Sequence, residues 1–140
     1  MYGRVVGGLA AGATIIAAPA MAHHSFAMFN RDKEVSVEGT VLDFQWTNPH
    51  AWIDVDVPDG KGGAEKWGVE LNSPNNLVRQ GWRSDLVKAG DKITVVLNPL
   101  RSGQPGGLFL QLVRADGKVL TDRFVTRLNA ATASTPSAPK

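Results

Sequence analysis

The chain has no cysteine, which excludes disulfides, thiolate nucleophiles and zinc ribbons. It also lacks an excess of either charge. Beyond Arg4 and the rest of residues 1–22, 14 basic side chains face 13 acidic ones, so bulk attraction to nucleic acid has no basis. Long apolar runs are missing too: the one uncharged apolar stretch, Val5 to Ala18, is Gly/Ala-rich and too short to span a bilayer stably. No G-x-S-x-G elbow and no Asp-x-Asp-x-Asp-Gly loop occurs, which removes the usual footing for a serine hydrolase or a calcium loop.

What is present begins with an address. A short start carrying Arg4 leads into the apolar run, then into Pro19-Ala-Met-Ala22 and at once into polar His23-His-Ser25. That order reads as a cleavable secretory signal over residues 1–22, cut after Ala22, with Ala20 an alternative small-x-small site. The expectation is an exported protein, periplasmic or secreted, with no membrane insertion after cleavage. Cutting after Ala22 leaves 118 of the 140 residues, enough for one domain and not two.

The domain, placed at 23–125, reads as mostly β. Period-two alternation through Val35, Val37 and Val41 marks a long first strand, with a bulge or bend expected at Gly39. Thr47-Asn-Pro-His50 is a turn, and 51–57 and 65–71 form the next two strands of an antiparallel meander. Ser73-Pro74 opens a short helix ending near Trp82, with Ser73 as its cap. Residues 92–98 and 108–114 supply two more strands, and Asp116-Gly117 turns the chain back through 118–120. Three strands, a short helix between strands three and four, then two strands is the order of a small five-stranded OB-like barrel; an unclosed β-sandwich is the alternative. Residues 126–140 are small, polar and aperiodic, the composition of a disordered tail.

His23-His-Ser-Phe26, Gly39-Thr-Val, Trp46-Thr-Asn-Pro-His50, Ser73-Pro-Asn, Arg79-Gln-Gly-Trp82, Gly90-Asp91 and Asn98-Pro-Leu-Arg101 together resemble an uncharacterised family of exported bacterial proteins, domain of unknown function 6152. The likeness runs from about His23 to Leu120. It implies export and a single domain, and it brings no activity, substrate or catalytic residue with it.

All three histidines fall in two places: His23 and His24 at the expected mature start, and His50 in the turn after strand one. Imidazole is a common metal ligand, and a free α-amine beside it adds a second nitrogen donor. A chain starting at His23 could bind Cu(II) through its amine and ring, with His24 or His50 added. One starting at Met21 would offer a square-planar nitrogen set ending in His23. The bland alternative makes His23 and His24 a polar start and His50 a turn cap near Asn48.

Trp46, Trp52, Trp67 and Trp82 could form an aromatic platform for sugars, peptides or bases, with Trp46 and Trp52 the candidates for binding a small ligand or an envelope protein, although tryptophans in a small barrel more often plug its ends. Asp54 and Asp56 share a strand face, which reads as solvated; Arg79, Arg83 and Arg101 could hold an anion. No nucleophile with a partnered base can be named. The sequence thus points to a non-enzymatic exported binding or accessory domain, with copper at His23, His24 and His50 as its sharpest form. The competing class is an envelope interaction or structural protein that uses a Trp-rich rim.

Overall fold

The structure, a computed structural model, describes residues 26–133. Residues 1–25, which hold the expected signal segment, His23 and His24, and residues 134–140 lie outside the described residues. Six strands and two helices follow in order: β1 (Val35–Gln45), β2 (Trp52–Pro58), β3 (Ala64–Glu70), α1 (Pro74–Val78), β4 (Lys92–Pro99), β5 (Gly106–Arg114), β6 (Val119–Thr121) and α2 (Arg123–Ala133).

β1 serves two partners. Its first half pairs with β4 and its second with β2, and Thr40 touches both, opposite Lys92 and Asp56. β5 returns antiparallel to β4 and then runs parallel to β3 through Gly68↔Gly106, Val69↔Gly107 and Glu70↔Leu108. That short seam closes the ring β1-β2-β3-β5-β4, with β6 added at the free side of β5. The molecule is therefore a small all-β, OB-like barrel with its short helix between β3 and β4, as the strand order predicts.

The bulge in β1 falls beyond Gly39, at which β1 passes from one partner to the other. The register shifts between Val41 and Asp43, leaving Leu42 as the extra residue, whereas Gly39 answers a different need. A Cβ at Gly39 would stand 2.4 Å from the Asp56 carbonyl oxygen, so the glycine lets β2 cross close over the bend.

Alternation then sorts the side chains. Val41, Ile53, Val55, Val69, Val95, Leu97, Phe109 and Leu112 fill the barrel. α1, capped by the Ser73 hydroxyl at the Asn76 amide, lowers Leu77 and the following Trp82 onto one end. Trp82 is 2% exposed, packs edge-on against Phe109 with centroids 5.4 Å apart, and donates its indole N–H to the Thr121 carbonyl at 3.1 Å. This tryptophan is a plug, and its one polar atom is satisfied.

A second apolar cluster lies outside the barrel. Phe29, Leu108, Leu110 and Val125 are buried together, with Phe26, Val96 and Leu100 against them. Leu108 and Leu110 come from β5, Phe29 from the N-terminal arm and Val125 from α2, so arm and helix jointly cover one outer face. Buried Asn98 ties them: its Nδ2 donates to the Lys33 carbonyl at 2.8 Å, and its Oδ1 accepts from Asn129 Nδ2 at 2.7 Å.

Of the tail expected to be disordered over 126–140, residues 126–133 are helical instead, because α2 runs to Ala133, and residues 134–140 lie outside the described residues. Short helices of weak propensity need tertiary contacts to persist. α2 has them in buried Val125, in Asn129, and in Asp122, whose Oδ1 caps the amides of Phe124 and Val125.

Candidate functional site

Glu70 ends β3 on the outward side of the alternation, between core residues Val69 and Leu71. It stands opposite Trp52 of β2 on one flank and Leu108 of β5 on the other. Both neighbours shield it, and its side chain is only 5% exposed. A carboxylate so placed needs a partner, since burying it alone would cost several kcal/mol.

His50 is that partner. The turn before it contains the cis Asn48–Pro49 peptide, and Thr47 Oγ1 donates to the His50 carbonyl at 3.3 Å. Beyond the turn, Ala51 and Leu71–Asn72 exchange backbone hydrogen bonds of 2.9 and 3.2 Å, extending the β2–β3 ladder. His50 is thereby carried to the end of β3, where its Nδ1 hydrogen-bonds Oε1 of Glu70. An ionised carboxylate only accepts, so opposite one the Nδ1 nitrogen is the donor. A carboxylate behind an imidazole fixes the orientation of the ring. His50 is thus held by a side chain 20 residues away.

The arm lies on the same outer face. Phe29 bridges Leu100 and packs with Leu108, the residue paired to Glu70. Backbone bonds from Asn30 to Pro99 and from Arg101 to Met28 hold it there at 2.8 and 2.9 Å. Arg101 also donates Nε to the Ala27 carbonyl at 3.1 Å, so this arginine binds the arm. His23 and His24, which lie outside the described residues, precede Phe26 by three and two residues.

Trp46 and Trp52 do not form one platform. Trp46 packs with the barrel cluster, edge-on to Phe44 at 5.5 Å, while Trp52 lies half-buried on the outer face beside Glu70. Asp54 pairs with Lys66 at 2.6 Å. Arg83 forks onto Asp85 at 2.9 and 3.1 Å, and this hydrogen bonding holds the Asp85 carboxyl below its ordinary range. Among the described residues, no three His, Asp or Glu side chains gather as a metal site.

Sequence reasoning missed Glu70 as the partner of His50. Its one local signal is a carboxylate between two apolar residues at the end of a strand. It also missed Arg123 and Arg127, which with Arg79 line a cleft of about 440 Å³ between the two helices.

The sequence profile of a family of unknown function, DUF6152, matches residues 12–111. The chain belongs to that family. The DUF6152 match spans His23, His24, His50, Glu70, Trp46 and Trp52, and stops before β6 and α2. No curated protein matches the chain. Among solved structures, a mitochondrial single-stranded DNA binding protein from S. cerevisiae, Rim1, is similar at 8% identity and a TM-score of 0.46, over 59% of this chain and 93% of that one.

Proposed function

We propose that this protein is an exported, non-enzymatic binding or accessory protein of the bacterial envelope that takes up Cu(II) at its mature N-terminus. In this reading His23 supplies the α-amine and a ring nitrogen, His24 a further imidazole, and His50 the ligand borne by the barrel. The observation that carries it is the bond from His50 Nδ1 to buried Glu70. Outer carboxylates orient ligating histidines in this way, through the ring nitrogen that does not bind the metal.

Chain length adds support. Three residues of extended backbone span about 10 Å, so a chain beginning at His23 would carry its α-amine no farther than that from Phe26, which packs on the outer face. Histidine and amine nitrogens suit Cu(II), and the absence of cysteine anywhere in the chain removes the thiolate competitors.

The test is Cu(II) titration, followed by electron paramagnetic resonance, of protein purified after export with its first residue established by intact mass. A nitrogen-rich Cu(II) signal is expected, lost on acetylating the α-amine. His50→Ala should change its nitrogen splitting, and Glu70→Gln should weaken affinity by about 10- to 100-fold. Absence of a Cu(II) band, or a band indifferent to amine blockade, would remove the proposal. A band indifferent to His50→Ala would remove the barrel's part in it.

A second reading, an envelope partner docking on the rim, draws on Trp52, which lies half-exposed beside His50 and Glu70. Loss of that partner in Trp52→Ala with unchanged Cu(II) binding would favour it.

A further inference from the structure

Gln80 joins the exit of α1 to the entrance of α2. Its Nε2 donates to Asp122 Oδ1 at 3.2 Å and its Oε1 accepts from the Arg123 amide at 2.7 Å. This clamp sets Arg79, from the end of α1, beside Arg123 and Arg127 around the 440 Å³ cleft, with Phe124 as an aromatic wall. All three arginines are exposed, and among the described residues none of them has an acidic partner, whereas nearby Arg83 has Asp85.

Three guanidinium groups around one cleft repel one another, so the arrangement costs stability unless an anion enters. The helix start contributes no spare donors, because Asp122 already accepts from Phe124 and Val125. Asp122 itself is fully buried and does not line the cleft. The cations are also flanked by apolar surface: Phe124 is 54% exposed and Val78, next to Arg79, 56%.

Guanidinium forks match phosphate oxygens, and an exposed aromatic beside cations suits the boundary between headgroups and acyl chains. We infer that this cleft binds the phosphate of an anionic lipid headgroup, with Phe124 entering the apolar edge of the headgroup layer. A free phosphate ion would make no use of Phe124 or Val78. A nucleic acid would gain little from a chain with balanced charge and a single aromatic at the site. The inference is independent of the copper reading, since no metal-binding residue takes part.

The test is co-sedimentation of the full exported chain with phosphatidylcholine vesicles, with and without phosphatidylglycerol, in the presence of EDTA. Binding is expected only with phosphatidylglycerol, weakening as salt rises. The double variant Arg79→Gln/Arg127→Gln should bind roughly 25-fold more weakly, at about fivefold per arginine, and Phe124→Ser should also bind less. These positions are exposed, so thermal melting by circular dichroism should match the parent and exclude misfolding as the cause. Equal binding to neutral vesicles, or a double variant that binds as the parent does, would overturn the inference. So would saturable binding of inorganic phosphate without vesicle binding, or tighter arginine-dependent capture by an oligothymidylate.

Discussion

At the scale of single residues, the His50–Glu70 pair separates a stability role from a ligand role. Removing His50 strands a carboxylate that is 5% exposed, so His50→Ala should destabilise the fold by about 2–4 kcal/mol. Glu70→Gln keeps an acceptor for the ring and sheds the buried charge, and should cost only about 1 kcal/mol. Urea unfolding of both variants checks the order; a larger loss in Glu70→Gln would contradict this account of the pair. Asp85 behaves differently, because it is exposed. Its carboxyl is held below the ordinary value of 3.8, first by the hydrogen bond from Arg83. A depressed folded-state value contributes stability above the unfolded value and loses it as pH falls through the folded one. Asp85→Asn should therefore be slightly less stable than the parent at neutral pH. In acid, once Asp85 is protonated in both states, thermal scans should coincide.

At the scale of elements, the N-terminal arm and α2 depend on the same buried amide. Asn98 bonds the arm at Lys33 and the helix at Asn129, and Asn129 in turn accepts from Arg31 Nε at 2.7 Å. Asn98→Ala leaves those groups with a lost partner on a covered face, at about 1–3 kcal/mol. Amide hydrogen exchange should quicken in both residues 26–33 and α2, with the barrel strands unaffected until global unfolding. Asp122→Ala removes the cap of α2 and should cost about 1–2 kcal/mol, with faster exchange centred on the helix. That outcome would also perturb the arginine cleft, which is why its test uses exposed side chains instead. The helix was not legible in residues 126–133 because a run this short is marginal by itself whatever its alanine content. Its order comes from a local cap at Asp122 and from one buried valine and one asparagine that meet partners from elsewhere in the chain.

At the scale of the molecule, closure rests on three residue pairs between β3 and β5. Two consecutive glycines let β5 lie close to its two partners. A Cβ on Gly106, at φ +141°, would meet the Gly68 oxygen of β3 at 2.5 Å, and one on Gly107 the Asn98 carbonyl oxygen of β4 at 2.2 Å. Both clashes are with backbone, which cannot rotate away. Gly106→Ala should therefore destabilise by about 1–3 kcal/mol and lower the apparent cooperativity of urea unfolding by loosening the β3–β5 edge. A variant melting with the parent would show that the seam tolerates separation.

The sequence by itself determined the strand order, the short capped helix after β3, the hairpin at Asp116-Gly117 and the inward or outward side of most strand positions. Those follow from local rules of periodicity, capping and turn chemistry, which act within a few residues. Only tertiary structure decided where the bulge in β1 falls, that Glu70 holds His50, that Arg83 is neutralised by a neighbour while Arg79 joins Arg123 and Arg127, and that α2 forms at all. Most of these depend on contacts between residues far apart in sequence, set by strand register and barrel closure, which no local pattern records.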